Sequence, residues 1–179
     1  MADPQVAQAS RDRKTVTPQG ESVDRLPEGV IVQDLVTHVD ERGSVCVLYD
    51  PREVPHPDPL VYSYCFTIRP GVVKGWNLHE SHEDRYALVL GHVKVLLYDT
   101  REGSPTQGLL ASVVMSEHRR RLVTVPAGVW HADWNIGATD ALVVNYPTTQ
   151  YDYEAPDKLR LPVDTDLIPY SFPPGTQGG

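Results

Sequence analysis

Pro126-Ala127-Gly128-Val129-Trp130-His131-Ala132-Asp133-Trp134-Asn135 is the stretch whose reading decides the fold. Pro126 and Gly128 supply a tight turn that launches a strand. On that strand His131 and Asp133 stand two residues apart, so they face one side of a sheet. A second stretch, Gly75-Trp76-Asn77-Leu78-His79-Glu80-Ser81-His82-Glu83-Asp84, is closed by Gly91 and places Asn77 and His79 with the same spacing. If both strands line one barrel, these four polar side chains converge on a single cavity. Polar groups turned into a small barrel are costly unless they pair or bind something.

The surrounding sequence reads as strands throughout. The runs are 31–36, 44–50, 60–68, 71–79, 85–90, 93–99, 109–115, 121–125, 129–134 and 140–147. They are short, rich in β-branched residues and separated by turn signals such as Asp40-Glu41-Arg42-Gly43, Gly91-His92 and Asn135-Ile136-Gly137. No long helical period is present, which is the signature of an all-β sandwich or barrel. Residues 1–25 are polar and read as a flexible N-terminal segment, 26–173 as one domain and 174–179 as a C-terminal tail. A loop between Pro51 and Pro59 carries four prolines.

Composition excludes several classes of function. Of 179 residues, 24 are acidic and 16 basic, a formal net charge of −8, which does not suit a nucleic-acid surface. Arg119-Arg120-Arg121 reads as the solvated end of a strand. No apolar run approaches the length of a membrane span, and the first residues lack the apolar core of a secretory signal, so a cytoplasmic protein is expected. Cys46 and Cys65 read as buried free thiols, not as a disulfide framework.

The two polar stretches resemble the two motifs of the cupins. Pro126, Gly128, His131 and Asn135 meet the second motif in full. In the first, Asn77 and His79 fill the His-x-His pair, Asp84 fills the Glu position, and Gly91 closes it. From about Leu26 to Phe172 the chain further resembles the dTDP-4-dehydrorhamnose 3,5-epimerase branch of that superfamily. The resemblance rests on Asp40-Glu41-Arg42-Gly43, Gly71-Val72-Val73-Lys74-Gly75, Tyr98 to Thr106, Val125 to His131 and Tyr146 to Tyr151. It implies an antiparallel jelly roll of two sheets. It also implies a homodimer that takes a nucleotide-linked 4-keto-6-deoxy sugar as partner and uses no metal or other cofactor. A histidine base and a tyrosine acid move protons beside the keto group in such proteins.

Asn77 falls where the family keeps its base, and an amide cannot take up a proton at neutral pH. The family's active-site lysine falls on Asp84, and its C-terminal Leu-Ser-x-Lys-Asp segment has no counterpart. The expected catalytic residues are therefore His79 or His131 as base and Tyr146 as acid. Arg42 and Lys74 are expected to hold the diphosphate, and Asn77, Trp130 and Asp133 to touch the substrate. Two alternatives stand beside this. One is a metal-dependent cupin binding a divalent transition metal through His79, His131 and Asp84; the other is a non-catalytic cupin that binds a sugar nucleotide. His82 with Glu83 reads as a solvated surface pair.

Overall fold

Alternating β-branched runs cut by Gly, Pro and Asn turns cannot form helices of useful length, and the computed structural model of the chain, which describes residues 10–52 and 60–179, contains no helix among them. Most of the proline-rich loop and the first nine residues lie outside the described residues. One five-stranded antiparallel sheet has the order β1 (Ile31–Asp34), β9 (Arg121–Val125), β6 (Asp84–Leu90), β11 (Ala141–Asn145), β4 (Tyr64–Ile68). The other has the order β12 (Leu159–Arg160), β5 (Val73–Leu78), β10 (Val129–Asn135), β7 (His92–Asp99), β8 (Leu110–Ser116). A separate hairpin joins β2 (Thr37–Asp40) to β3 (Gly43–Cys46). The jelly roll read from the sequence is the architecture found.

The sheets enclose a core of Ile68, Leu88, Val95, Leu97, Met115, Val123, Val129 and Val143. Trp76, Leu96, Ala132 and Ile168 pack on the outer face of the β5–β10–β7 sheet, beneath the segment that carries Leu161, Tyr170 and Phe172. Ala87, Leu122 and Tyr146 pack on the outer face of the other sheet with Leu48 and Tyr49. The stretch read as a C-terminal tail docks: Gln177 carbonyl accepts a hydrogen bond from Val73 N at 2.9 Å. The cysteines are free, but Cys65 is exposed and Cys46 only half-buried, a correction to their expected burial. Arg119 and Arg121 both pair with Asp34. No helix among the described residues is long and apolar enough to cross a membrane.

One irregularity positions the site. Against β10, Asn77 is opposite His131, but Lys74 is opposite Asp133, so three steps on β5 match two on β10. This bulge lets Lys74 and Asn77 share a face, although their odd spacing would separate them on a regular strand. Gly75 makes it possible. Its φ is +134°, and a Cβ there would lie 2.7 Å from both Ala132 Cα and His131 O.

Candidate functional site

Between edge strand β4, the turn after β5 and the segment before β12 lies a cavity of about 280 Å³, lined among others by Tyr64, His79, Ser81, His82, Asp157 and Lys158. Its inner end is organised by Asp84, the first residue of β6. Asp84 Oδ2 accepts a 2.6 Å hydrogen bond from Tyr86 Oη and Oδ1 one of 2.6 Å from Asn145 Nδ2. His79 Nε2 is 3.1 Å and His131 Nε2 3.5 Å from the same Oδ2. Burial alone would raise the Asp84 pKa, but the hydrogen bonds and charges of His131 and His79 outweigh it and hold the group ionised well below the usual carboxylate range. Burial likewise works against a charged His79, and Asp84 overcomes it, so the His79 pKa is raised.

The outer end is organised by Asp157, in the segment before β12. Its backbone carbonyl hydrogen-bonds His79 Nδ1. Its Oδ1 accepts Glu80 N at 2.8 Å, and its Oδ2 accepts Ser81 N at 2.9 Å, Ser81 Oγ at 2.6 Å and His82 Nδ1 at 2.9 Å. The rings of His79 and His82 stack with centroids 4.0 Å apart. Burial and then the neighbouring His79 charge push the His82 pKa down. Lys158 is half-buried, and its Nζ makes no ion pair among the described residues. Burial and then Arg160 lower its pKa, while Asp84 and Asp133 act in the opposite direction. Asp133 is buried, its Oδ1 lacks a hydrogen-bond partner among the described residues, and burial pushes its pKa up to about 7.

His79, His131, Asn77, Asp133 and Asp84 thus gather inside one end of the sandwich, and Lys74 stands at the opening, 5.9 Å from the Phe66 ring centroid. Three expected residues do not join them. Tyr146 follows Asn145, which points inward to Asp84, so by alternation Tyr146 points outward, where its ring packs 5.1 Å from that of Tyr49. Trp130 alternates with His131 in the same way and packs in the outer cluster with Leu96 and Tyr98. Arg42 lies at the exposed β2–β3 turn, paired with Asp40 at 2.5 Å. His82, read as a solvated surface residue, is instead a lining residue of the cavity.

Tyr64, Asp157 and Lys158 were not singled out by the sequence reading. Tyr64 Oη accepts Asn145 Nδ2 at 3.0 Å, and burial and then the Asp84 charge raise its pKa to about 12. Of the alternative metal set, His79 and Asp84 do come together, and the third donor within 4.8 Å of both is His82. Two imidazoles and a carboxylate so spaced suit a divalent transition ion; an imidazolium hydrogen-bonded to Asp84 satisfies the same distances.

A two-sheet jelly roll with a polar, histidine-rich end is a cupin. The sequence model of the dTDP-4-dehydrorhamnose 3,5-epimerase family matches residues 26–168, so the chain belongs to that family. It is similar to the probable low-salt glycan biosynthesis epimerase Agl13 of Haloferax volcanii, 40% identical over 140 residues that cover 75% of this chain and 87% of the relative. It is also similar to the spore coat polysaccharide biosynthesis protein SpsL of Bacillus subtilis, 32% identical over 147 residues that cover 81% and 95%. Among solved structures, a dTDP sugar isomerase from Desulfovibrio desulfuricans superposes with a TM-score of 0.75 at 31% identity, covering 81% of this chain and 91% of that one.

Proposed function

We propose that the protein is an epimerase-type enzyme that binds a nucleotide-linked 4-keto-6-deoxy sugar and moves a proton on a carbon next to the keto group. The observation that carries this reading is Lys158, a half-buried ammonium with no ion-pair partner among the described residues, in a cavity lined by imidazoles. Removing a proton beside a carbonyl places negative charge on the carbonyl oxygen, and a partly desolvated cation stabilises that oxygen more than it stabilises the neutral ketone. Family membership supplies the substrate class. Lys74 at the opening is assigned to the diphosphate. The test is incubation with a dTDP-4-keto-6-deoxyhexose in heavy water, following label at carbons 3 and 5. Label well above the enzyme-free control is expected, and its absence at saturating substrate sinks the reading.

The same reading takes the protein to be a cytoplasmic homodimer. Val36, Val39, Val45 and Val47, on and beside the β2–β3 hairpin, are each more than half exposed, and a two-stranded hairpin is marginal by itself. A second copy packed there accounts for both. Light scattering at micromolar concentration should give twice the chain mass.

A second reading rests on the spacing of His79, His82 and Asp84, in which those residues hold a divalent ion that would polarise the keto oxygen. Stoichiometric transition metal in freshly purified protein, with activity lost on chelation and restored by that metal, selects it over the first.

A further inference from the structure

The resemblance puts Asn77 at the family's base position, and an amide takes up no proton at neutral pH, so on that reading a proton-transfer enzyme built on this chain needs its base elsewhere. Three histidines surround Asp84, and they differ in what their ring nitrogens already hold. His79 is engaged at both: Nδ1 by the Asp157 carbonyl, and Nε2 by Asp84 at 3.1 Å. His131 Nδ1 hydrogen-bonds Val129 O at 3.1 Å, and its Nε2 is sealed from solvent beside Asp84. His82 is different. A carboxylate only accepts, so the 2.9 Å contact to Asp157 Oδ2 puts the N–H on Nδ1, and in the neutral ring this leaves the lone pair on Nε2. That Nε2 is 3.8 Å from Asp84 Oδ1, beyond hydrogen-bond range, and the side chain lines the cavity. Asp157 is itself fixed by Glu80 N, Ser81 N and Ser81 Oγ, so the orientation it imposes is rigid.

We propose that His82 is the base that stands in for Asn77, with Asp157 as its positioning residue. The proposal rests on the proton-transfer reading given above. His82 Nε2 takes the proton from the carbon beside the keto group. The C–H electron pair becomes the C=C bond of an enolate, and the carbonyl π pair moves to oxygen, facing the Lys158 ammonium. A proton then returns to the same carbon from its other side while the pairs move back, which inverts the centre. Tyr64 is the donor: its oxygen accepts from Asn145, so its own O–H is left to donate. Exchange with water afterwards deprotonates His82 and reprotonates Tyr64. The dyad joins the turn after β5 to the segment before β12, 75 residues apart in sequence, so no local motif announces it.

The experiment measures heavy-water labelling and steady-state kinetics on the full-length protein with a dTDP-4-keto-6-deoxyhexose. His82→Gln should lower labelling by roughly two to four orders of magnitude, the size of a general-base contribution. Asp157→Asn should lower kcat by roughly two to four orders while KM stays within about threefold, because it inverts the tautomer without removing the ring. A second measurement needs no variant: ¹⁵N-histidine spectra of the wild-type protein at pH 7.5 should show a neutral His82 with the proton on Nδ1. Wild-type protein that fails to label sinks the functional reading and the base with it. If the wild-type protein labels and His82→Gln labels equally fast, or if His82 carries its proton on Nε2, the base assignment alone is overturned. Labelling that disappears on chelation and returns with added zinc or manganese also overturns it, since Nε2 would then be a ligand.

Discussion

β5 and β10 are neighbours in one sheet and carry the two halves of the recognisable motif, yet they obey different rules. β10 alternates without a fault: Val129, His131 and Asp133 face inward while Trp130, Ala132 and Trp134 face outward. β5 breaks step at Gly75, so Lys74 and Asn77 share the face of His131 and Asp133, and Val73 and Trp76 face the outer cluster. A regular strand can be read by parity alone. A bulged one cannot, because a single extra residue moves everything after it to the other face.

The largest effect expected from this comparison is at the bulge. Gly75→Ala sets a Cβ against the backbone of β10, and no side-chain rotation relieves a clash with backbone atoms. A loss of more than about 4 kcal/mol is expected, read as a collapse of the denaturant midpoint; a near-native midpoint would show that β5 tolerates regular alternation. Next is Asp133, on the regular strand. Its pKa is raised by burial from 3.8 to about 7, so the folded state holds a proton that the unfolded chain has released. That contribution to stability is fully present below about pH 4 and is lost as pH rises through about 7. Asp133→Asn should therefore stabilise the protein at pH 8, by up to about 4 kcal/mol, and change little at pH 4. Equal midpoint shifts at both pH values would refute it.

Smaller effects separate the two faces of single strands. Trp130→Ala removes packing from the outer cluster and should cost about 1–3 kcal/mol, with KM unchanged within about twofold. A tenfold rise in KM would return Trp130 to the substrate. Smallest of all, Tyr146→Phe should leave both midpoint and labelling rate nearly unaltered, within about 0.5 kcal/mol, since that ring lies on the far face of β11. Tyr64→Phe in the same assay should slow net epimerisation by tenfold or more. If the two tyrosine variants exchange these outcomes, the inward and outward faces of the sheet that holds β4 and β11 have been assigned in reverse.

The strands and turns of the domain were legible because they depend on local composition, and the second motif was legible because its Pro126–Gly128 turn and regular strand leave only parity to read. Parity reaches further: the inward spacing of His131 and Asp133 turns Trp130 outward, and an inward Asn145 turns Tyr146 away. The sequence by itself determined the jelly roll, the family and the inward set His131, Asp133, Asn77 and His79. Only the tertiary structure decided that Lys74 joins that set, through a bulge that a lone glycine does not announce. It alone brought Asp157 and Lys158 beside His79 and His82, since contacts across 75 and more residues are made by sheet closure. It alone also separated the three histidines by what their ring nitrogens touch. Ring type and spacing are properties of the chain, but a proton's position depends on the acceptor that the fold places 3 Å away.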